Sequence, residues 1–159
     1  MEDTHIFSQV SDLGAYAELR QLLPSQVPVI SPALDRTLDF LAKRRKPDGS
    51  EIDIEVALGE ALANAVIHGN REHSGKRVSV TCRCTRDGEV SIRIQDQGQG
   101  FDTATVLDPT ISANRFSTSG RGIYLMKTLM DVVHFGENGT VVHMLKRSNA
   151  ETVAQEEAR

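Results

Sequence analysis

The chain has 159 residues, with 18 Lys and Arg against 22 Asp and Glu and a formal net charge of −4. Apolar residues make up 39% and charged residues 25%, the composition of an ordinary soluble domain, and the length suits one domain with a sizeable core. The acidic balance gives no electrostatic case for nucleic acid, no apolar run is long enough to span a membrane, and Met1-Glu-Asp-Thr-His lacks the features of a signal peptide, so a cytoplasmic location is expected.

Residues 1–15 have little pattern and are expected to form a loose accessory segment. Tyr16 to Leu23 is weakly strand-like and ends at Pro24. Ser31-Pro32 reads as an N-cap followed by an N1 proline, opening a helix to about Arg45 with Leu34, Leu38 and Leu41 as its apolar stripe. Lys43, Arg44, Arg45 and Lys46 suit a helix C-terminus and read as a solvated end rather than a binding patch. After the turn Lys46-Pro-Asp-Gly-Ser50, a second helix is predicted from about Asp53 to His68, stopped by Gly69-Asn70.

This second helix is the most informative stretch. Ile54, Leu58, Ala61, Leu62, Ala65 and Val66 form a broad apolar face, and Val56, Ala63 and Ile67 cover much of the remainder. Glu60, Asn64 and His68, spaced by four, make one narrow polar stripe. A buried polar stripe needs polar partners, which an internal hydrogen-bond network or a ligand would supply.

Two strands follow. Arg77 to Thr85 points Val78, Val80, Cys82 and Cys84 inward, which makes the two cysteines buried free thiols rather than half a metal site. After the tight turn Arg86-Asp-Gly88, Glu89 to Gln95 points Val90, Ile92 and Ile94 inward, and Asp96 continues that parity. A carboxylate on the core face of a strand end is unusual. Gly98 and Gly100 come directly after it, and the aperiodic stretch 102–119 has the length of a lid or binding loop. Gly120-Arg121-Gly122 leads into a helix from Ile123 to about Asp131, with Ile123, Met126 and Met130 on one face. Val132 to Phe135 and Thr140 to Lys146 are the last two strands, and residues 148–159 are expected to fray.

Several chemistries can be set aside. Gly69 to Lys76 resembles a Walker loop, but five residues separate its glycines, Arg77 stands where Ser or Thr would hold magnesium, and the loop follows a helix. Gly98-Gln-Gly100-Phe is not the dinucleotide fingerprint. The five histidines lack zinc spacing, and there is no GxSxG elbow.

What remains is an ordered set: Glu60 with Asn64, then Asp96-x-Gly98-x-Gly100, then Gly120-x-Gly122, then Gly139-Thr140. Taken alone, Asp96 to Gly100 is better explained by a plain turn after a strand. The set in this order resembles the nucleotide-binding fold of the GHKL (Bergerat) group, shared by gyrase-type ATPases and histidine kinases. The short form, with a modest lid and no helical dimerisation domain ahead of Glu60, is most similar to anti-sigma-factor serine kinases of the RsbW type. The resemblance covers roughly residues 16–147, leaving 1–15 and 148–159 as accessory segment and tail.

The resemblance implies an α/β two-layer sandwich, with a mixed, mainly antiparallel sheet carrying three helices on one face. It implies ATP and Mg²⁺ as ligands. Glu60 would be the catalytic base, Asn64 the Mg²⁺ ligand, and Asp96, Gly98, Gly100, Gly120, Arg121, Gly122 and Thr140 nucleotide-binding residues. The implied function is phosphorylation of a small STAS-type antagonist on Ser or Thr, with free antagonist releasing a sequestered sigma factor or other regulator, and a homodimer is among the implied partners. An ATP-gated binding module without kinase activity and a histidine-kinase-type catalytic domain are the alternatives. Arg36 is similar in place to a partner-contacting arginine of such kinases, but an exposed helical arginine is the simpler reading; for His68, a satisfied helix-end histidine is preferred to a phosphate contact.

Independently of the resemblance, an inward Asp96 can accept a hydrogen bond from an exocyclic amino group that adenine has and guanine lacks at that edge. Gly98 and Gly100 let backbone approach a flat base. Asn64 offers the neutral oxygen that Mg²⁺ accepts among few protein ligands, and Glu60 lies one turn away, placed to take a proton.

Overall fold

The computed structural model describes residues 5–102 and 118–149. Within them, six strands form one sheet: β1 (Phe7–Asp12), β2 (Tyr16–Pro24), β3 (Arg77–Thr85), β4 (Val90–Gln95), β5 (Val132–Gly136) and β6 (Val141–Lys146). Their spatial order is β1-β2-β3-β4-β6-β5, and every neighbouring pair is antiparallel, so the mixed pairing that the resemblance implied is absent among these strands. Helices α1 (Ile30–Ala42), α2 (Glu51–Ala63) and α3 (Thr118–Leu129) supply the second layer.

Alternation, strict in β3 and β4, builds the core. Leu19 and Leu23 of β2, Val78, Val80, Cys82 and Cys84 of β3, and Val90, Ile92 and Ile94 of β4 meet Ile54, Leu58 and Leu62 of α2 and Ile123 and Met126 of α3 in one buried cluster. Both cysteines are free and buried, and burial pushes the Cys82 thiol far above its ordinary range. No helix of the described residues is long and apolar enough to cross a membrane.

The first corrections fall at the N-terminal end. The segment expected to be loose contains β1, which pairs along its whole length with β2. It is an edge strand exposed at five of its six residues, so it has no inward-outward pattern to betray it. Arg36 of α1 is exposed, as read from the sequence, but it also reaches β1, donating from Nη1 to Ser8 Oγ at 2.9 Å.

Helix α1 starts at Ile30 after a 3₁₀ turn at Val27–Val29, so Ser31 and Pro32 lie inside its first turn and Ser31 is not the N-cap. Proline is tolerated there because first-turn amides have no intrahelical acceptor. The most buried face of α1 is Ala33, Thr37, Phe40 and Leu41, while Leu34 and Leu38 flank it. Gln21 of β2 explains the shift: its Nε2 donates to Thr37 Oγ1 at 2.9 Å and to the Ala33 carbonyl at 3.2 Å, a buried polar link that an apolar count does not see.

Of the basic run, Lys43, Arg44 and Lys46 are exposed, but Arg45 is not a solvated end. Its side chain is 5% exposed and bridges Asp48, Ser50 Oγ and the Gly88 carbonyl. Asp48 also accepts the Asn149 amide at 2.9 Å, so the chain is held to this point, and the rest of the expected fraying tail, 150–159, lies outside the described residues.

Candidate functional site

Helix α2 positions the first two site residues. Its apolar face buries Ile54, Leu58, Ala61 and Leu62 as the periodicity predicts, Ala57, outside the face read from the sequence, is buried with them, and the helix starts two residues early, at Glu51. Beyond Ala63 it continues as a π-helical turn, Asn64–Gly69, in which the Asn70 amide donates to the Ala65 carbonyl at 2.9 Å. Arg71 and Glu72 then adopt positive φ of 52° and 55°. Non-glycine residues in that region and single π turns both concentrate at functional sites.

The Gly120-x-Gly122 pair does not precede α3 but lies inside its N-terminal turns, because the helix begins at Thr118 rather than Ile123. Glycine costs about 1 kcal/mol in a helix interior. Tertiary packing overrides that preference here, since both glycines are buried and Gly122 faces α2. A Cβ at Gly122 would lie 2.6 Å from Glu60 Oε2 and 3.5 Å from Asn64 Nδ2. Glu60, Asn64 and Gly122 therefore converge. Arg121, between the two glycines, is exposed on α3.

Asp96 follows β4. Its backbone amide donates to the Thr140 carbonyl at 2.9 Å, and its Oδ1 accepts the Gly98 amide at 2.8 Å. Burial raises its carboxyl above the ordinary range, with the Gly98 hydrogen bond and the Lys76 charge opposing. The Thr140 hydroxyl donates to the Glu137 carbonyl at 2.8 Å, leaving its oxygen lone pairs as acceptors. Gly100 has φ of 76°, and a Cβ there would come within 1.9 Å of the Asn138 carbonyl oxygen, so only glycine fits. The Phe101 amide closes the same contact by donating to that oxygen at 2.8 Å.

These elements enclose a cavity of about 140 Å³. Asn64 and His68 line one side, Ile94, Asp96, Gly100 and Phe101 another, and Ile123, Met126, Phe135, Gly139, Thr140 and Val142 complete it. Phe101 and Phe135 meet edge to face at 5.5 Å. The space suits one flat ring rather than a whole ligand, being well under the ~300–1,000 Å³ of a full ligand pocket. A larger hollow of about 670 Å³ lies on the sheet face away from the helices, among Arg20, Leu22, Thr81, Arg83, Arg93 and His143. It touches none of the converging carboxylate and glycine positions.

His68, read from the sequence as a satisfied helix-end residue, is exposed and lines the cavity. Phe101, Phe135 and Asn138 were not legible as site residues; the signals available were the aromatic directly after Gly100 and the Asn-Gly pair ahead of Thr140. The expected lid, 102–119, is only touched by the structure. Thr118 and Ser119 belong to α3, and 103–117 lie outside the described residues.

Residues 23–146 match the histidine kinase-like ATPase domain. The chain belongs to that family. Serine-protein kinase RsbW of Bacillus subtilis is 32% identical over 146 residues, covering 87% of this chain and 89% of the relative. An anti-sigma F factor of Clostridium botulinum is 38% identical over 123 residues, covering 73% and 77%. An anti-sigma F factor of Oceanobacillus iheyensis is 29% identical over 153 residues, covering 92% and 93%.

For an ATPase domain the cavity can be tested against its nucleotide. A half-buried carboxylate acceptor, a flat apolar slot and a glycine pressed on backbone fit an adenine ring. Among the described residues no three His, Cys, Asp or Glu cluster as a metal site. A lone Asn64 beside Glu60 instead fits a hard cation held mainly by phosphate and water.

Proposed function

We propose that this chain is an ATP-dependent protein serine/threonine kinase that also acts as an anti-sigma-type, partner-switching regulator. Its substrate is a small STAS-type antagonist, and the unphosphorylated antagonist releases a sigma factor or other regulator from the chain. The observation that carries the reading is the convergence of Glu60, Asn64 and Gly122 beside a cavity floored by Asp96 and Thr140.

In this reading Asp96 accepts the adenine amino group, Thr140 supports the same edge, and Gly98 and Gly100 allow backbone to lie against the ring. Gly120, Arg121 and Gly122 sit in the N-terminal turns of α3, where helix amides and dipole favour phosphate. Asn64 would hold Mg²⁺, which when bound neutralises phosphate charge. Glu60 takes the proton from the antagonist's serine hydroxyl as its oxygen bonds to the γ-phosphorus and the bond to the bridging oxygen of ADP breaks.

The sheet face away from the helices, where Phe7, Leu22 and Val132 are 58%, 42% and 43% exposed, and helix α1 are the surfaces we assign to a second copy of the chain or to a helical partner. The test of the reading is incubation with γ-labelled ATP and a STAS-type antagonist shown by pull-down to bind the chain. Label on an antagonist serine or threonine supports it. Binding without label moves the function to an ATP-gated binding module.

A further inference from the structure

Asn70 is 1% exposed, yet nothing in the function proposed above uses it. Its side chain makes three hydrogen bonds. Nδ2 donates to Ser25 Oγ at 2.5 Å and to the Arg77 carbonyl at 2.9 Å, and Oδ1 accepts the Gln97 amide at 2.7 Å. The Arg77 carbonyl requires a donor and the Gln97 amide an acceptor, so the amide has one orientation. Gln97 is the residue between Asp96 and Gly98, and its Oε1 returns the contact by accepting the Arg77 amide at 2.7 Å.

The neighbouring Gly69 grips the same turn by shape. A Cβ on Gly69 would lie 2.5 Å from the Asp96 carboxylate, and a Cβ on Gly98 would lie 2.1 Å from the Gly69 carbonyl oxygen. The end of the π turn, the start of β3 and the turn after β4 are thus locked together at one point. Asp96 itself has few anchors: its backbone bond to Thr140 and the Gly98 amide on Oδ1. Its depth in the cavity depends on the backbone of 96–98, which Asn70 holds.

We infer that Asn70 is a positioning residue for base recognition, setting the Asp96 carboxylate where it discriminates a 6-amino purine from a 6-oxo purine. This rests on the adenine role given to Asp96 above. Asn70 touches no ligand in this account. It acts through Gln97 and Asp96.

Calorimetric titration of ATP and of inosine triphosphate, which carries oxygen in place of the 6-amino group, tests it on wild type, Asn70→Ala and Asn70→Asp. Asn70→Asp keeps volume and the acceptor for Gln97 but sets an oxygen against the Arg77 carbonyl, so it serves where Asn70→Ala does not fold. Loss of a hydrogen-bonded anchor is expected to weaken ATP by about tenfold, while inosine triphosphate changes little and the preference for ATP shrinks. A merely structural role would weaken both nucleotides alike through the unfolded fraction, read separately by circular dichroism. A folded variant that keeps the wild-type preference, or loses both nucleotides equally, overturns the role of Asn70. A wild type with no preference between the two nucleotides overturns the adenine assignment instead.

Discussion

Gly122 gives the Glu60 carboxylate its room: a side chain at 122 would begin 2.6 Å from Glu60 Oε2. The two residues come from different helices, 62 positions apart, and meet because α2 and α3 pack together. The contact makes the second glycine of the Gly120-x-Gly122 pair a steric partner of the proposed base as well as a proposed phosphate neighbour. Gly122→Ala should displace Glu60 and lower phosphoryl transfer toward the ~10²–10⁴-fold loss of a missing general base, while leaving the Asp96 cavity and most ATP affinity in place. Single-turnover transfer assays paired with ATP titration check this, and a transfer rate equal to wild type would remove the steric argument.

Asp96 should cost the free protein stability. Its folded pKa is raised, chiefly by burial, above the ordinary 3.8. The carboxyl's contribution is therefore full below that ordinary value and is lost as pH rises through the folded value. Asp96→Asn keeps an acceptor for the Gly98 amide and removes the buried charge. Without nucleotide it should melt higher than wild type at neutral pH, with the gain vanishing in acid. It should also bind ATP about 1–3 kcal/mol more weakly, since a charged acceptor is lost from a buried pair. Melting curves across pH and calorimetry read the two effects, and a variant both less stable and equally tight would contradict both.

Arg45 and Asp48 form a pair whose side chains are 5% and 2% exposed. Removing one partner leaves the other charged and buried, so Arg45→Ala should cost about 3–5 kcal/mol of unfolding free energy, measured by urea titration. Burial acts to raise the Asp48 carboxyl, but hydrogen bonds from Ser50 and Asn149 and the Arg45 charge hold it below the ordinary 3.8. Its contribution is present above that value and is lost as pH falls through the lower folded value. The cost of Arg45→Ala should shrink in strong acid. A cost below about 1 kcal/mol at neutral pH would return Arg45 to the solvated end that its neighbours form.

A homodimer or a helical partner is proposed for the sheet face away from the helices or for α1. Light scattering with and without ATP should give twice the chain mass of 17.5 kDa if the dimer forms. A monomer under both conditions leaves only the helical partner.

Regular periodicity made much of this fold legible. The apolar face of α2 and the alternation through β3 and β4 placed the core, and Asp96 stood out because it continued an inward parity. The misses share a cause: contacts that no local period records. β1 is held by pairing alone, at an edge where neither face is consistently buried. Thr37 is buried because Gln21 reaches it from another element. A π turn at Asn64–Gly69 breaks the 3.6-residue assumption itself. The glycines of α3 pointed to a loop by propensity, while both lie in the helix and Gly122 packs against Glu60 and Asn64. Asn70 read only as a helix stop, because its three partners lie in segments far away in sequence or across a turn.

In the proposed function Glu60 makes this chain a kinase rather than only a nucleotide-gated binder. Glu60→Gln keeps size and hydrogen bonding but cannot accept the serine proton. The most direct measurement is quantitative mass spectrometry of a bound STAS-type antagonist after incubation with Mg²⁺-ATP and either wild type or Glu60→Gln. Phosphoserine or phosphothreonine should accumulate with wild type and form about 10²–10⁴-fold more slowly with Glu60→Gln, at nearly unchanged ATP affinity. Equal phosphorylation by the two proteins, or none by wild type on an antagonist that binds it, would contradict the account.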